Sequence, residues 1–346
     1  MDDALDTTTD EPLDERKAAI LRAVVEEHIE TAQPVGSQAI ARASGLGVSS
    51  ATVRNEMTVL ERDGYLVQPH TSAGRIPTDR GYRYFVDHFT REGELPAPQG
   101  RAVVDFFASA HQALEDLLNE TSQLLGRVSR HASMVMGPHV DTALVRGVQL
   151  VPLQPEVVLL VAVLANGAVE KQVLQLDDDA DEGRIAAAGA ALDAHLVGHP
   201  FARLPEVHAT GDPAVDAVVR TARDALVALA RPDYSEPLYV GGVSHLAAEQ
   251  EAFSTAQSAA RLLGMLEHQV VVVSLVRELL ERGLTVSIGS ENQLDELRDC
   301  SIVLAPYAVE GDPAGIVGVL GPTRMDYGHA LAAVSAVSQQ LGRHLS

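Results

Sequence analysis

The chain has 346 residues, of which 46% are hydrophobic and 21% charged, and its formal net charge is −22 at pH 7. This length favours two or three domains. The single cysteine, Cys300, excludes an internal disulfide framework and favours a reducing, cytoplasmic setting. The longest apolar run, Val157 to Ala165, is too short for a membrane span, and the acidic N-terminus does not look like a signal peptide. We expect a soluble cytoplasmic protein without a membrane partner.

The charge is unevenly distributed. Residues 1–13 carry −5 and are expected to be a disordered acidic extension. Residues 14–91 hold ten basic and ten acidic side chains, whereas residues 92–346 hold sixteen basic and thirty-three acidic ones. Because phosphate neutralisation dominates non-specific DNA affinity, an acidic body disfavours binding to bulk DNA. Only the neutral segment 14–91 is a plausible DNA-binding surface.

Within residues 14–91 we predict a winged helix-turn-helix. The third helix is the central element, because Val53, Met57 and Leu60 recur at the spacing of a buried helical stripe. A short strand and a polar loop follow this helix, in the order expected of a wing. The predicted elements are helices over Asp14–Glu30, Ser37–Ala43 and Ala51–Asp63, a strand over Tyr65–Gln68, the loop His70–Arg75 and a helix capped by Thr78.

The face of the third helix opposite the buried stripe is the candidate DNA-reading surface. Arginine can pair bidentately with guanine and asparagine with adenine. The alternative is that Arg54 pairs with Glu61 or a neighbouring carboxylate on the domain surface; we favour contact with a base or a phosphate. On the wing, Gly74 is expected to permit a tight turn. The candidate DNA-binding residues are Ser49, Ser50, Thr52, Arg54, Asn55 and Thr58 on or before the helix, and His70, Thr71, Ser72 and Arg75 on the wing.

Two neighbouring patterns are assigned to structure. The stretch Gly45–Ser50 nearly matches a dinucleotide-binding glycine motif, but a helix precedes it and the third glycine is missing, so that interpretation is rejected. After the wing, aromatic residues at helical spacing are interpreted as core, with Arg80 and Arg83 facing outward. Residues 92–100 are predicted to be a linker.

Beyond the linker the pattern predicts an α+β body that carries a helix-rich insertion. It begins with one long amphipathic helix, and the turn Asn166-Gly167 predicts a hairpin between two strands. The remaining predictions are helices over Val103–Val128, Asp181–Leu196, Asp216–Leu229, Ala248–Leu266, Gln269–Leu280 (in part) and Asp326–Leu341, and strands over Leu144–Leu153, Val157–Ala165, Val169–Leu176, Leu284–Ile288, Ser301–Val309 and Ala314–Gly321.

Two blocks at opposite ends of the chain resemble the HrcA heat-shock repressor family. The first comprises PVGS (34–37), GLGV (45–48), ATVRNEM (51–57) and the run HTSAGRIPTDRGYRY (70–84). The second comprises IGSEN (288–292), DCS (299–301) and GPTRMDY (321–327). The middle, roughly 175–235, matches only in general character.

The resemblance implies an α+β multidomain protein with a winged-helix DNA-binding domain (14–91), a GAF-like domain (92–178 and 236–346) and an inserted dimerisation domain (179–235). It also implies a homodimer that represses chaperone operons by binding double-stranded DNA at an inverted-repeat operator of the CIRCE type. A GroEL-type chaperonin would act as modulator, with release of the operator on heat stress.

An enzyme or an effector-gated regulator in the C-terminal body is the alternative. Cys300 is the only possible thiol nucleophile, but it borders an apolar strand and is expected to be buried and structural. The acidic run Asp177–Gly183 does not fit a calcium loop, because its glycine and glutamate positions are wrong. The histidines lack metal-ligand spacing, so neither a metal nor another cofactor is predicted. The hypothesis that a GAF-like domain binds a small-molecule effector is kept as the alternative.

Overall fold

The computed structural model describes residues 13–43, 47–90, 93–110, 113–137, 143–154, 156–165, 167–176, 181–230, 237–248, 264, 269–282 and 285–346. These residues form a mixed α/β protein in which helices pack on antiparallel sheets. None of the described helices combines the length and apolar character needed to cross a membrane. Three sequence predictions fall almost wholly outside the described residues: the acidic extension, the helix over 248–266 and the start of the acidic run at 177–180.

In chain order the elements are α1 (Glu15–Thr31), α2 (Ser37–Ala43), α3 (Ser50–Arg62), β1 (Leu66–Val67), β2 (Ile76–Pro77), α4 (Asp79–Phe89), α5 (Ala97–Ser109), α6 (Leu114–Ser129), β3 (Ala132–Met136), β4 (Val145–Gln154), β5 (Val157–Leu164), β6 (Val169–Gln175), α7 (Glu182–Leu196), α8 (Pro213–Leu229), β7 (Leu238–Gly241), α9 (Val243–Ala248), α10 (Gln269–Glu281), β8 (Val286–Ile288), β9 (Cys300–Val309), β10 (Asp312–Pro322) and α11 (Tyr327–Leu345). Short 3-10 helices cover Phe201–Arg203, Gly289–Asn292 and Asp295–Leu297.

Helices α1 to α4 and the β1–β2 pair form an N-terminal unit. Asp14 caps α1 by accepting a hydrogen bond from the Lys17 amide at 2.9 Å, and a left-handed residue, Ala32, ends it. The first three helices agree with the sequence predictions to within one residue. Their agreement follows from local rules, since caps and helical periodicity are both encoded within a few residues. The fully buried side chains at the centre of this unit include Ile20, Leu21, Val24, Ile40, Val53 and Leu60.

Two predictions between residues 92 and 129 are wrong. Helix α5 begins inside the expected linker at Ala97, and Pro98 lies in its first turn, where the fixed φ suits a helix and the missing N–H costs no hydrogen bond. The long helix expected over Val103–Val128 is two helices, because Ala110 is extended (φ −73°, ψ 124°) and α6 begins only at Leu114. The spacing from Phe107 to Leu114 equals about two helical turns, so the apolar pattern continues across the break.

A five-stranded antiparallel sheet forms the body, with strand order β7-β3-β10-β9-β8. Helices α6 and α11 pack on one face, and α10 packs on the other. The sequence predicted β8, β9 and β10 but missed β3 and β7. Both missed strands are four or five residues long and contain small or polar residues such as Ser133 and Gly241, so they carry little β signal.

A separate core forms around the three-stranded sheet β4-β5-β6, on which α7 and α8 pack. The hairpin predicted at Asn166-Gly167 is confirmed by the pairing of β5 with β6, although Asn166 itself is not described. The chain leaves the five-stranded sheet after Met136 and returns at Leu238, and these two residues are paired neighbours. The predicted boundary at 179 therefore lies inside a segment, about 143–230, whose sheet and helices share one core.

His131 supports a prediction about pH. It is 8% exposed, and burial, followed by the nearby His329 and His245, lowers its pKa from 6.5 to about 4, against a weaker opposite effect of Asp326. A lowered histidine pKa means that the unfolded chain binds the proton more readily, so stability is present above pH 6.5 and lost as pH falls towards 4.

We expect the free energy of unfolding to fall by up to about 3 kcal/mol through His131 over this pH window. Chemical denaturation of the wild type and of His131→Gln at pH 7 and pH 4.5 measures this, because the variant should show the smaller acid loss. Equal losses in the two proteins would contradict the assignment to His131.

Candidate nucleic-acid interface

Helix α3 presents one polar face to solvent. Ser49 caps the helix, since its Oγ accepts a hydrogen bond from the Thr52 amide at 3.2 Å. The stripe of Val53, Met57 and Leu60 is buried, as predicted, so the opposite side is left uncovered. The exposed residues of α3 are Ala51, Arg54, Asn55, Thr58 and Arg62, and Ser50 and Thr52 are half-buried beside them.

Both carboxylates of α3 are paired with arginines from other elements. Arg16 of α1 lies 3.9 Å from Glu56, and Arg75 lies 2.9 Å from Glu61. Arg54 is exposed and forms no ion pair with any described residue. The alternative pairing of Arg54 with Glu61 is therefore wrong, because Arg75 occupies that carboxylate. Since both glutamates are paired with other arginines, the positive charge of Arg54 is not offset on the exposed face. This charge favours binding of an anion.

The loop between β1 and β2 lies next to this helix. Gln68 shapes it by donating from Nε2 to the carbonyl oxygens of Thr71 and Ala73, at 3.2 and 2.9 Å. The three residues at the tip, His70, Thr71 and Ser72, are exposed. Their side chains are hydrogen-bond donors, and internal bonds to the backbone fix the loop that carries them. The loop can therefore present donors in a defined arrangement.

Arg75 connects the loop to α3. Its guanidinium donates from Nε to Glu61 at 3.0 Å and from the Nη2 group to the Thr58 hydroxyl at 3.2 Å. The side chain is only 15% exposed. Among the sequence candidates, Arg75 is thus the one whose polar group faces the protein, where it holds the loop against the helix.

Gly74 is required for close approach of two backbones. Residues Val35 and Arg75 form an antiparallel bridge, with both N–H···O distances at 2.9 Å. A Cβ on Gly74 would overlap the carbonyl oxygen of Val35, and the φ of Gly74 is not positive. The tight turn expected from the sequence is therefore not the reason for this glycine.

Gly74→Ala is expected to lower the stability of the N-terminal unit by about 1 to 3 kcal/mol, the usual cost of overpacking. Gly36→Ala is a matched control on the other side of the bridge, because nothing lies within 4 Å of a Cβ there. Thermal unfolding followed by circular dichroism compares them. Equal melting temperatures for the two variants would contradict the overlap.

The side chain of Arg83 does not face solvent as predicted. It was expected to face solvent, but it is half-buried and pairs with Glu291 of the body, while Asp79 accepts hydrogen bonds from Ser290. These partners are 208 and 211 positions apart, so no local sequence pattern indicates the contact. The only sequence feature shared by these groups is membership of the two blocks, 70–84 and 288–292, that carry the family resemblance.

Cys300 offers no catalytic site. Its side chain is 1% exposed, and burial raises the pKa of the thiol to about 12, so the sulfur stays protonated at neutral pH. The prediction of a buried cysteine is confirmed. Within the described residues, no group of three or more histidine, cysteine, aspartate or glutamate side chains could hold a metal ion.

Known proteins resemble the chain over nearly its whole length. A family model described as the HrcA protein C terminal domain matches residues 115–331. A heat-inducible transcription repressor HrcA of Nocardia farcinica is 37% identical over 338 residues, covering 96% of this chain and 97% of that protein. The corresponding repressor of Kineococcus radiotolerans is 40% identical over 350 aligned residues, covering 96% and 99%.

The fold also resembles a solved structure, the crystal structure of a hypothetical protein at 2.2 Å resolution. The match has a TM-score of 0.58 with 22% identity and covers 96% of this chain and 97% of that one. At this identity the likeness concerns the mixed α/β fold alone.

Proposed function

The chain belongs to the HrcA family of heat-inducible transcription repressors, and we propose how it recognises its target. It is a transcriptional repressor of heat-shock genes, which is a regulatory and not an enzymatic role. We propose that residues 14–91 are a winged helix-turn-helix and that two copies of the chain bind an inverted-repeat operator of the CIRCE type in the cytoplasm. Release on heat stress and modulation by a GroEL-type chaperonin complete the proposal, as the family resemblance implies.

The exposed face of α3 is the observation that carries this proposal. A recognition helix enters the major groove, and it needs a protruding face with side chains that can bond base edges. Arg54 suits guanine and Asn55 suits adenine, since each can form a bidentate pair. Both are exposed, and Arg54 has no ion pair among the described residues. These two residues are proposed to read bases.

The other candidates fit supporting roles. Ser49, Ser50 and Thr52 lie at the N-terminus of α3, where hydroxyl groups and backbone N–H groups favour a phosphate. Thr58 lies on the exposed face but is already bonded to Arg75. On the loop, His70, Thr71 and Ser72 are proposed to contact the DNA backbone or minor groove, and Arg75 is proposed to hold the loop in place.

The outer face of the three-stranded sheet supports a homodimer. Its inner face packs on α7 and α8, whereas the outer face exposes apolar side chains. Val151, Leu159 and Val173 are cross-strand neighbours, so they form a row across all three strands. Val173 is 59% exposed. An antiparallel sheet facing water normally carries polar residues there. An apolar face favours a second copy of the chain, because identical faces can pair about a two-fold axis.

The packing supports a proposed domain assignment. We propose that the five-stranded sheet with α5, α6, α10 and α11 is the GAF-like domain. The unit over about 143–230 is then the inserted dimerisation domain. Pairing of two insertions would carry two recognition helices on one assembly, which is what an inverted repeat requires.

Footprinting on DNA upstream of chaperone operons tests the function. We expect protection of two arms related by a dyad, with equal strength in each arm. Protection that does not follow an inverted repeat, or none at all, would contradict the proposal. Binding should be measured at several salt concentrations, because phosphate contacts make affinity fall as salt rises, and a slope near zero would contradict the proposed contacts with the DNA backbone.

A further inference from the structure

Helix α4 joins the N-terminal unit to the body through charged groups. Arg83 donates from Nε to Glu291 at 2.8 Å and from an Nη group to the Val286 carbonyl oxygen at 2.7 Å. One turn earlier, Asp79 accepts hydrogen bonds from the Ser290 amide and hydroxyl, at 2.9 and 2.8 Å. These hydrogen bonds attach α4 to β8 and to the 3-10 helix that follows it.

The fit at this contact is close. Gly289 lies opposite Asp79 with a φ of +53°, and a Cβ there would overlap the carboxylate. Glu291 is itself oriented by a hydrogen bond from the Ile288 amide at 2.9 Å. The segment over residues 288–291 is therefore complementary in shape and hydrogen bonding to Asp79 and Arg83.

An aromatic contact continues the same junction. The rings of Tyr82 and Tyr327 lie 6.0 Å apart, and the Tyr82 hydroxyl lies 2.8 Å from His28 Nδ1 in α1. Tyr82 and Tyr327 are both buried. Because α4 is the last helix before residues 93–96, its docking determines how the whole N-terminal unit is oriented on the body.

We infer that Asp79 and Arg83 are positioning residues for operator recognition: by locking α4 onto Ser290 and Glu291, they fix the angle of the DNA-reading helix relative to the dimerising body. This inference rests on the proposed function. Half-sites of an inverted repeat are read one helical turn or a multiple apart, so two helices on one dimer must keep a set separation. A body that pairs two copies can set this separation only if each N-terminal unit is held at a fixed angle.

Positioning of the N-terminal unit and stability of its fold should respond differently to loss of this contact. The ion pair of Arg83 with Glu291 connects the N-terminal unit to the body, and the two side chains are about a quarter exposed. Loss of this pair should therefore leave each N-terminal unit able to read a single half-site. What should be lost is the gain from binding two half-sites at once, which depends on geometry.

Gly289→Ala is the first test, because it obstructs the contact without touching any DNA-binding residue. Gly311→Ala is the matched control: its φ is also positive, and nothing lies within 4 Å of a Cβ there. The full-length proteins are titrated with duplexes that contain the inverted repeat, one half-site, or the repeat with its spacer changed by two base pairs. Circular dichroism establishes that each variant is folded.

We expect Gly289→Ala to lose about tenfold in affinity for the inverted repeat, which is part of the 10² to 10⁴ or so that bivalent binding contributes. Its affinity for one half-site should stay within about twofold of wild type, and its preference for the natural spacer should weaken. Arg83→Gln should give the same pattern, and Gly311→Ala should behave as wild type.

Two results would overturn the inference. One is an equal loss on the half-site and the inverted repeat, and the other is an unchanged spacer preference in both Gly289→Ala and Arg83→Gln. A wild-type protein that binds the inverted repeat no better than one half-site would instead refute the proposed dimeric function, so the two failures are distinguishable.

Discussion

Val173→Asp is expected to convert the protein from a dimer to a monomer and to lower its affinity for the inverted repeat by at least about a hundredfold, since bivalent binding contributes about 10² to 10⁴. A charge at Val173, at one end of the row Val151–Leu159–Val173, would be buried without a partner in the paired sheets. In the monomer Val173 is 59% exposed, so the substitution should cost little folding stability.

Val197→Asp is the matched control. This residue belongs to the same insertion and is 42% exposed, but it follows α7 instead of lying on the outer sheet face. Light scattering coupled to size exclusion gives the oligomeric state of each variant. If Val173→Asp stays dimeric while folded, or if Val197→Asp dissociates equally, the outer sheet face is not the dimer interface.

Arg54→Ala should weaken operator binding by about 1 to 3 kcal/mol if the guanidinium reads a base. Because Arg54 is exposed and has no ion pair with a described residue, its removal leaves no buried partner unsatisfied, and the melting temperature should not change. Binding to non-specific DNA should also change little, since a base contact contributes only at the matching sequence.

Arg298→Ala provides the control for Arg54→Ala. Arg298 is a highly exposed arginine of the body that pairs locally with Asp295 at 2.9 Å. Its removal should affect neither operator nor non-specific binding. If Arg54→Ala weakens operator and non-specific binding by the same factor, Arg54 contacts a phosphate; if it weakens neither, Arg54 lies outside the interface.

The sequence was most informative about α3, the proposed DNA-reading helix. A cap at Ser49, a buried stripe at Val53, Met57 and Leu60, and the resulting exposed face all depend on residues less than fifteen positions apart. Such features follow from helix periodicity and capping. For the same reason the hairpin of β5 and β6 and the helices α7, α8 and α11 were predicted with nearly correct bounds.

Features that depend on distant partners were not predictable from pattern. Arg83 appeared to be a surface residue because Glu291 is 208 positions away, and Arg75 appeared free because nothing local indicates that it bonds Glu61. The shared core of residues about 143–230 is another such feature. Alternating strands at 144–176 read equally well as part of either sheet, and only packing on α7 and α8 decides between them.

Selection from a pool of random duplexes tests the central claim most directly, because it asks at once whether the protein reads sequence and whether it reads it symmetrically. The wild type should recover an inverted repeat with two equivalent arms at a fixed spacing, and Arg54→Ala should lose preference at the same position in each arm. Recovery of a single unrepeated motif, or of no motif, would contradict a dimeric repressor that reads its operator through α3.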